Sequence, residues 1–405
     1  MTKPHFLQIH TLTPYAAALL NRDDAGAAKR LPFGGSIRTR ISSQCLKRHW
    51  RRADHEWELK GFDPGLSLRS RRIFSERVAL PLIGEGLPAE QVVAVVGAIQ
   101  ALLLGESPKA KKEKKGKAAA GTDSVDVGAL VDTLETKQVI VLGEPEVAYL
   151  REAARTLLRD PAAEADPVRA VTDWAKAGKA NLAALNKGAG IDAALFGRMV
   201  TSDHLARCDA AIHVAHAFTV HAQELENDYF SAVDDLAQES GETGSGHINT
   251  TELTSGLFYG YVAVDLPLLV SNLGGDAALA GQVVERLIHT VATVSPGAKL
   301  GSTAPHSWSV LVLAEMGGRT PRSLANAFLN PVPLRGGDVA ATAVERLAKH
   351  IAALDAMYGA GDERRVASIL DGSAALASRV ALGDLAGWAA GQVAAVGVTA
   401  DGRVE

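Results

Sequence analysis

The sequence predicts an α+β fold with large elaborations, and three observations support this prediction. Segments with the two-residue alternation of β-strands lie near the N-terminus and again beyond the middle of the chain. Ala-rich stretches with helical spacing separate these two groups of strands. The segment 224–255, rich in Gly, Ser, Thr and acidic residues, joins two later strands, and connections of that length are usually functional.

The first predicted strand covers residues 5–12, which alternate with the period of a sheet. Pro14 is expected to end it, because proline cannot donate a hydrogen bond to a neighbouring strand. The turn-rich segment 21–35 follows and closes with Gly34-Gly35. We therefore expect a loop between the first strand and the first helix.

The first helix is predicted to begin after Ser42 or Ser43, which are good N-cap residues, with helical spacing from Gln44 onward. Its apolar positions fall on one side: Leu46, Trp50, Ala53 and Trp57. The opposite side carries four cations: Lys47, Arg48, Arg51 and Arg52. An outward cationic face with a binding role is the favoured interpretation, and a merely solvated face is the alternative.

Charge is distributed unevenly along the chain. The net charge of −4 argues against a generally basic nucleic-acid-binding protein. Between positions 29 and 52, however, eight cations and no acidic residue occur: Lys29, Arg30, Arg38, Arg40, Lys47, Arg48, Arg51 and Arg52. We expect this segment to form one surface that meets a polyanion, on an otherwise acidic body.

The composition is that of a globular protein with a real core. Of 405 residues, 47% are hydrophobic and 22% are charged, and the length suggests two or three domains or one domain with large insertions. The sequence contains neither an apolar run long enough to span a membrane nor the apolar core of a signal peptide. Two cysteines, Cys45 and Cys208, cannot staple a secreted scaffold or complete a four-ligand zinc site. We expect a cytoplasmic protein with reduced thiols.

The middle of the chain is predicted to be a mainly helical insertion. Residues 80–104 and 147–185 have helical character, and 105–124 between them lacks any large apolar residue. Six lysines crowd into 109–117, which predicts a disordered loop. A solvated linker is favoured over a binding role, because a lysine run carries little specificity. Strands are then predicted at 139–142, 211–220 and 256–264, followed by a helix at 277–294 and further helices.

The sequence makes no affirmative case for an enzyme. A P-loop, a nucleophile elbow, an HExxH pair and a dinucleotide fingerprint are all absent from it. Four histidines lie close together along the chain: His204, His213, His216 and His221. On one strand, His213 and His221 would face away from His216, which disfavours a shared metal ion. No metal or cofactor is therefore expected.

Three features keep other chemistry open. Asp23-Asp24 could hold magnesium for RNA cleavage, although such a pair more often caps a turn or pairs with Arg22. Cys45 could be a reactive thiol at the start of a helix, although a packed thiol is favoured. The basic loop could bind a phosphorylated small substrate of an enzyme, but no glycine loop that would cradle phosphate adjoins it, and this alternative ranks last.

The order of several motifs resembles that of a known family. The first are Asn21-Arg22-Asp23-Asp24, Gly34-Gly35 and Arg38-x-Arg40-Ile41-Ser42-Ser43-Gln44-x-Leu46-Lys47-Arg48. Further blocks are Leu195-Phe196-Gly197-Arg198-Met199, Val214–Thr219, Tyr229–Leu236 and Ser255–Tyr259. Over residues 5–335 they are similar, in the same order, to those of the backbone subunit (CasC) of the type I-E CRISPR surveillance complex, Cascade.

The resemblance implies a modified RNA-recognition-motif (ferredoxin-like) palm, helical fingers and a β-hairpin thumb. The implied boundaries are 1–60 for the first part of the palm with the basic helix, 61–190 for the fingers with the Lys-rich loop 105–124, 191–223 for the palm strand region, 224–255 for the thumb, and 256–405 for the completion of the palm and the C-terminal helices. The implied protein is non-catalytic and needs no cofactor. Copies of it polymerise along a CRISPR guide RNA with other Cascade subunits, and target DNA pairs with the guide. No membrane partner is implied.

The resemblance also implies which residues contact the guide. A protein that holds any guide sequence must grip phosphates and leave the base edges free for pairing. The implied contacts are Asn21, Arg22, Lys29, Arg38, Arg40, Ser42, Ser43, Gln44, Lys47, Arg48 and Arg51. Phe196 and Met199 are candidates to wedge against a splayed base, with core packing as the alternative.

The chain departs from the family pattern in two places. Ser36 and Ile37 occupy a stretch that is often more basic, and the lysine run 109–117 lies outside the pattern. The alternative function is a metal-dependent RNA nuclease on a related backbone fold, with Asp23 or Asp24 as the metal ligand.

Overall fold

The computed structural model describes residues 4–63, 65–105, 126–178, 189–198, 208–233 and 245–394, with no side-chain description for 231–233 and 245–249. The chain divides into two compact units. The first comprises Met1–Leu59, Ile212–Ser271 and Gly275–Glu405, and the second comprises Lys60–Ala211 and Asn272–Gly274.

Both units contain strands and helices. The strands are β1 (Phe6–Ala18), β2 (Arg30–Phe33), β3 (Ser36–Ile41), β4 (Leu68–Ser70), β5 (Ile140–Leu142), β6 (Ile212–Val214), β7 (Ala217–Thr219), β8 (Leu225–Val233), β9 (Ser245–Asp265), β10 (Leu311–Gly317), β11 (Glu363–Ser368) and β12 (Ser378–Arg379). The α-helices are α1 (Ser43–Arg51), α2 (Leu80–Gly84), α3 (Ala89–Leu104), α4 (Val127–Asp132), α5 (Glu144–Leu157), α6 (Pro161–Ala165), α7 (Pro167–Ala177), α8 (Ile191–Phe196), α9 (Leu266–Asn272), α10 (Ala277–Thr293), α11 (Leu300–Thr303), α12 (Val339–Tyr358) and α13 (Leu382–Ala394). None of the described helices is long and apolar enough to cross a membrane.

The first unit is built on a mixed sheet in the order β12-β11-β10-β1-β9-β7-β3-β2, with β6 and β8 also paired to β9. The pair β11–β12 is parallel and the other pairs are antiparallel. Helices α10 and α13 pack against each other in the same unit. The α+β fold predicted from the sequence is confirmed.

The central strand β1 is buried on both of its faces, one apolar and one polar. Gln8 and His10 lie on the polar face, where His10 hydrogen-bonds the Tyr259 hydroxyl at 2.9 Å and the Glu315 carboxylate at 3.1 Å. Burial acts to raise the pKa of Glu315, but the hydrogen bond with His10 and nearby positive charges lower it to about 2. The Gln8 side chain accepts a hydrogen bond from the Arg322 backbone, so this polar row holds the segment that follows β10 against the sheet.

Pro14 does not end β1, contrary to the sequence prediction. The strand continues to Ala18, and Pro14 lies opposite Leu257 of β9. Leu257 directs its N–H to His221 and its carbonyl to Val220, away from β1. Pro14 therefore occupies a pair that exchanges no hydrogen bonds, and its missing N–H costs the sheet nothing.

Two other predicted elements differ in detail. The segment 211–220 is two short strands, β6 and β7, separated at residues 215–216, rather than one continuous strand. The segment 224–255, which composition describes as a long excursion, contains β8 and the start of β9, which pair as an antiparallel hairpin over the described residues. The predicted strand 139–142 and the predicted helix 277–294 are confirmed by β5 and α10.

The second unit is mainly helical, as predicted. Helices α2 to α7 bury a common apolar core, and β4 pairs with β5 beside it. The Glu146 carboxylate in α5 accepts a hydrogen bond from the Arg198 guanidinium at 2.6 Å, and both side chains are almost fully buried. Residues 106–124 of the predicted lysine loop lie outside the described residues.

A buried carboxylate holds α8 within the second unit. Asp192 accepts hydrogen bonds from the Ser67 N–H at 2.6 Å and the Ser67 hydroxyl at 2.8 Å, and it pairs with Arg69. We expect Asp192→Ala to lower the free energy of unfolding by about 2–3 kcal/mol, because it leaves buried donors without an acceptor. Denaturant unfolding measures this, and an unchanged stability would contradict it.

Candidate nucleic-acid interface

The cationic segment of the sequence forms the β2–β3 hairpin and α1, which lie at one end of the sheet of the first unit. Gly34 and Gly35 join the two strands with φ values of 61° and 74°. Because Phe33 pairs with Ser36, this is a two-residue turn, and two positive φ values are typical of a type I′ turn. Glycine is required here because it adopts such angles without steric cost.

The loop before β2 is attached to both the hairpin and the helix. The Lys29 N–H donates to the Asn21 carbonyl, and the Arg40 N–H donates to the Lys29 carbonyl. The Asn21 side-chain oxygen accepts from the Ser42 N–H at 2.9 Å. Three of the predicted guide contacts, Asn21, Lys29 and Arg40, are therefore brought together in space by backbone hydrogen bonds.

Helix α1 starts where the sequence predicts and ends earlier. Ser42 is the N-cap, and its hydroxyl accepts from the Cys45 N–H at 3.3 Å. Leu46 and Trp50 form the buried side of the helix. The helix ends at Arg51, so Trp57 is not part of the helical stripe; its ring stacks on His289 at 3.8 Å instead.

Several backbone N–H groups at the start of α1 are already bonded within the protein and are not available to a phosphate. The Ser42 N–H is bonded to Asn21, and the Ser43 N–H is bonded to Nδ1 of His216 at 3.3 Å. The Cys45 N–H is bonded to the Ser42 side chain. The surface around α1 must therefore contact an anion mainly through its side chains.

Arg38 is not a guide contact, which corrects the expectation from the motif. Its side chain is fully buried, and its guanidinium donates to the carbonyls of Thr219 and Phe328, both at 2.9 Å. Burial, and then the charge of Arg346, lowers the pKa of Arg38. The guanidinium connects β3 to β7, its neighbour in the sheet, and to the segment that follows β10. Its role is therefore structural.

Arg40, two residues along the same strand, is less buried than Arg38. Its Nε donates to the Arg30 carbonyl at 3.3 Å, and its Nη1 donates to Nδ1 of His216 at 3.2 Å. The side chain is half-buried, and these two acceptors fix the orientation of the guanidinium. Arg40 can therefore present a preoriented charge to a phosphate.

The other predicted contacts differ in their exposure. Arg22, Gln44 and Arg48 are exposed. Asn21, Lys29, Ser43, Lys47 and Arg51 are half-buried, and Ser42 is buried at the helix cap. Phe196 is half-buried at the end of α8 in the second unit, and Met199 lies outside the described residues.

Two residues missed at the sequence level contribute to this surface. Glu252 of β9 accepts from the Ala28 N–H at 2.6 Å and from the Arg30 guanidinium at 3.0 Å, which fastens the loop before β2 to the β8–β9 hairpin. His216 accepts from both Ser43 and Arg40. The sequence contains a signal for His216, because this residue lies in the motif Val214–Thr219.

Asp23 is occupied in a turn. One of its carboxylate oxygens accepts from the N–H groups of Ala25 and Ala27, both at 3.0 Å. Asp24 is exposed. Within the described ranges, no group of three His, Cys, Asp or Glu side chains is placed to hold a metal ion.

Cys45 does not have the environment of an activated nucleophile. Burial raises the pKa of its thiol, and this effect outweighs the positive charges of Lys29 and Arg48, which lower the pKa. The thiol is therefore protonated at neutral pH.

Comparisons with known proteins agree with the fold and the motifs. The family described as CT1975-like protein matches residues 7–387. A chain of a solved structure described as "CRISPR RNA-guided surveillance complex, pre-nicking" is similar at 28% identity with a TM-score of 0.71, covering 95% of this chain and 100% of that chain. A chain of a second structure, "CRISPR RNA-guided surveillance complex", has 23% identity and a TM-score of 0.64, covers 94% of this chain and 99% of its own length, and supports the fold alone.

The curated proteins include no match to this sequence. The family match and the first structural match confirm the resemblance to a Cascade subunit that the ordered motifs indicate. The chain belongs to the CT1975-like protein family.

Proposed function

We propose that this protein is a non-catalytic RNA-binding backbone subunit of a CRISPR surveillance complex. Copies of it polymerise along the guide RNA beside the other Cascade subunits, and the guide stays open to pairing with target DNA. The similarity to a chain of a CRISPR RNA-guided surveillance complex supports membership of such a complex. In this proposal the first unit is the RNA-recognition-motif-like palm, the second unit forms the fingers, and the β8–β9 hairpin is the thumb.

The single observation that carries the proposal is the clustering of cations around the start of α1. Hydrogen bonds through Asn21 connect Lys29 to Ser42, and hydrogen bonds through His216 connect Arg40 to Ser43. Arg48 is exposed on the helix itself. Such a surface suits the phosphates of a single strand, because phosphate contacts set position and leave base edges unread. This is what a subunit needs if it must hold a guide of any sequence.

RNA binding is tested by fluorescence anisotropy with a structureless single-stranded RNA and a duplex of the same length, over a salt series. The proposal expects tight, length-dependent binding of the single strand that weakens steeply as salt rises, because bound phosphates release counterions. No binding at low salt by the folded protein would overturn the proposal.

Charge reversal locates the surface. We expect Arg22→Glu with Arg48→Glu to weaken single-strand binding by about tenfold or more and to lower the salt slope by about two. The matched control is Arg335→Glu with Arg379→Glu, which makes the same charge change at exposed positions outside the predicted guide contacts. Equal losses in both double variants would show that only net charge matters.

The nuclease alternative has its own readout. After incubation with magnesium, the proposal expects bound RNA and added target RNA to remain intact on a denaturing gel. Cleavage at regular intervals that disappears in Asp24→Ala would replace the proposal with a metal-dependent nuclease.

A further inference from the structure

We propose that His216 is a positioning residue of the RNA surface, which orients Arg40 and the start of α1 only while its ring is neutral. The inference rests on the proposed function and adds to it a residue and a pH dependence. His216 lies at the break between β6 and β7, and its side chain is exposed at the edge of the cationic surface.

The hydrogen bonds of the ring determine which nitrogen carries the proton. Nδ1 of His216 faces the Ser43 N–H at 3.3 Å and Nη1 of Arg40 at 3.2 Å. Both groups are donors, so Nδ1 must be the acceptor and the proton of the neutral ring must be on Nε2. The contact with Arg40 therefore exists only in this tautomer.

The surroundings favour the neutral ring. Partial desolvation of the ring lowers the pKa of His216 below its ordinary value, and the positive charges of Arg40 on β3 and Lys29 on the preceding loop lower it further. The ring is therefore neutral at pH 7 and becomes charged only at a pH below that of an ordinary histidine.

Protonation would reverse each of these interactions. An imidazolium places an N–H on Nδ1, directed at two other N–H donors, and adds a third positive charge beside Arg40 and Lys29. Arg40 then loses the acceptor that orients it, although the Arg30 carbonyl remains. We therefore expect RNA affinity to fall on acidification, whereas simple attraction between imidazolium and phosphate would make it rise.

The test compares single-strand affinity from pH 7.5 to pH 5 in three variants of the full chain. His216→Ala should weaken binding by about five- to tenfold at pH 7.5, the range expected for the loss of one or two hydrogen bonds that orient a charge. His216→Gln, whose amide oxygen can accept the same hydrogen bonds, should retain most of the affinity and lose the acid-dependent fall. His213→Ala removes an exposed histidine of β6 and should match the wild type at every pH.

A double-mutant cycle with Arg40 completes the test. If His216 acts through Arg40, adding His216→Ala to Arg40→Ala should weaken binding little further. Wild-type affinity in His216→Ala, or the same pH profile in wild type and His216→Gln, would overturn this inference and leave the proposed function standing. Absence of RNA binding by the wild type at pH 7.5 would overturn both.

Discussion

Gly34→Ala is expected to lower the free energy of unfolding of the first unit by about 4 kcal/mol. A Cβ at this position would coincide with the backbone carbonyl of Leu329, and a backbone group cannot move aside as a flexible side chain can. The residue also has a φ of 61°, which costs a non-glycine residue about 1–2 kcal/mol on its own. The turn of the β2–β3 hairpin would have to move away from the segment that follows β10.

The neighbouring glycine provides a matched control. Gly35 has a φ of 74°, but nothing lies within 4 Å of a Cβ built on it. We expect Gly35→Ala to cost only the backbone strain, about 1–2 kcal/mol. Thermal and denaturant unfolding of both variants measures the difference, and equal losses would show that contact with Leu329 is unimportant.

Arg38→Met is expected to lower the free energy of unfolding by about 3 kcal/mol, the second largest effect. It removes a fully buried guanidinium and leaves the carbonyls of Thr219 and Phe328 without their donors. At a temperature where the variant is folded, RNA affinity should change less than in Arg40→Met.

Arg40→Met should show the opposite pattern, with a loss of stability below about 1 kcal/mol and RNA binding weakened by about five- to tenfold. Denaturant unfolding and anisotropy titrations of both variants separate the two effects. A greater loss of RNA affinity in Arg38→Met than in Arg40→Met would contradict the assignment of Arg38 to the interior.

The contrast between Arg38 and Arg40 shows where sequence reasoning stops. The cap and the buried side of α1 were predictable, because Ser42, Leu46 and Trp50 act within one helix. Arg38, in contrast, is held in the interior by Thr219 of β7 and by Phe328. Phe328 lies 290 positions away along the chain. Local spacing contains no information about such a partner.

The missed strands have a similar cause. Strand β10 is buried along most of its length and therefore lacks the alternation that identifies a half-exposed strand. The effect of Pro14 depends on whether a neighbouring strand needs its N–H, which local sequence does not show. Likewise, only the folded chain brings Ser43 and Arg40 together at the ring of His216.

Strand β9 belongs to two structures at once. It pairs with β1 from Asp265 to Thr254 and with β8 from Thr254 to Ser245, and the Thr254 hydroxyl donates to the Ala18 carbonyl where the two pairings meet. Because β9 runs from the sheet into the hairpin without an intervening loop, the hairpin is anchored directly in the middle of the sheet. A force on the hairpin is thus borne by the sheet, and through Glu252 it also reaches the loop that carries Lys29.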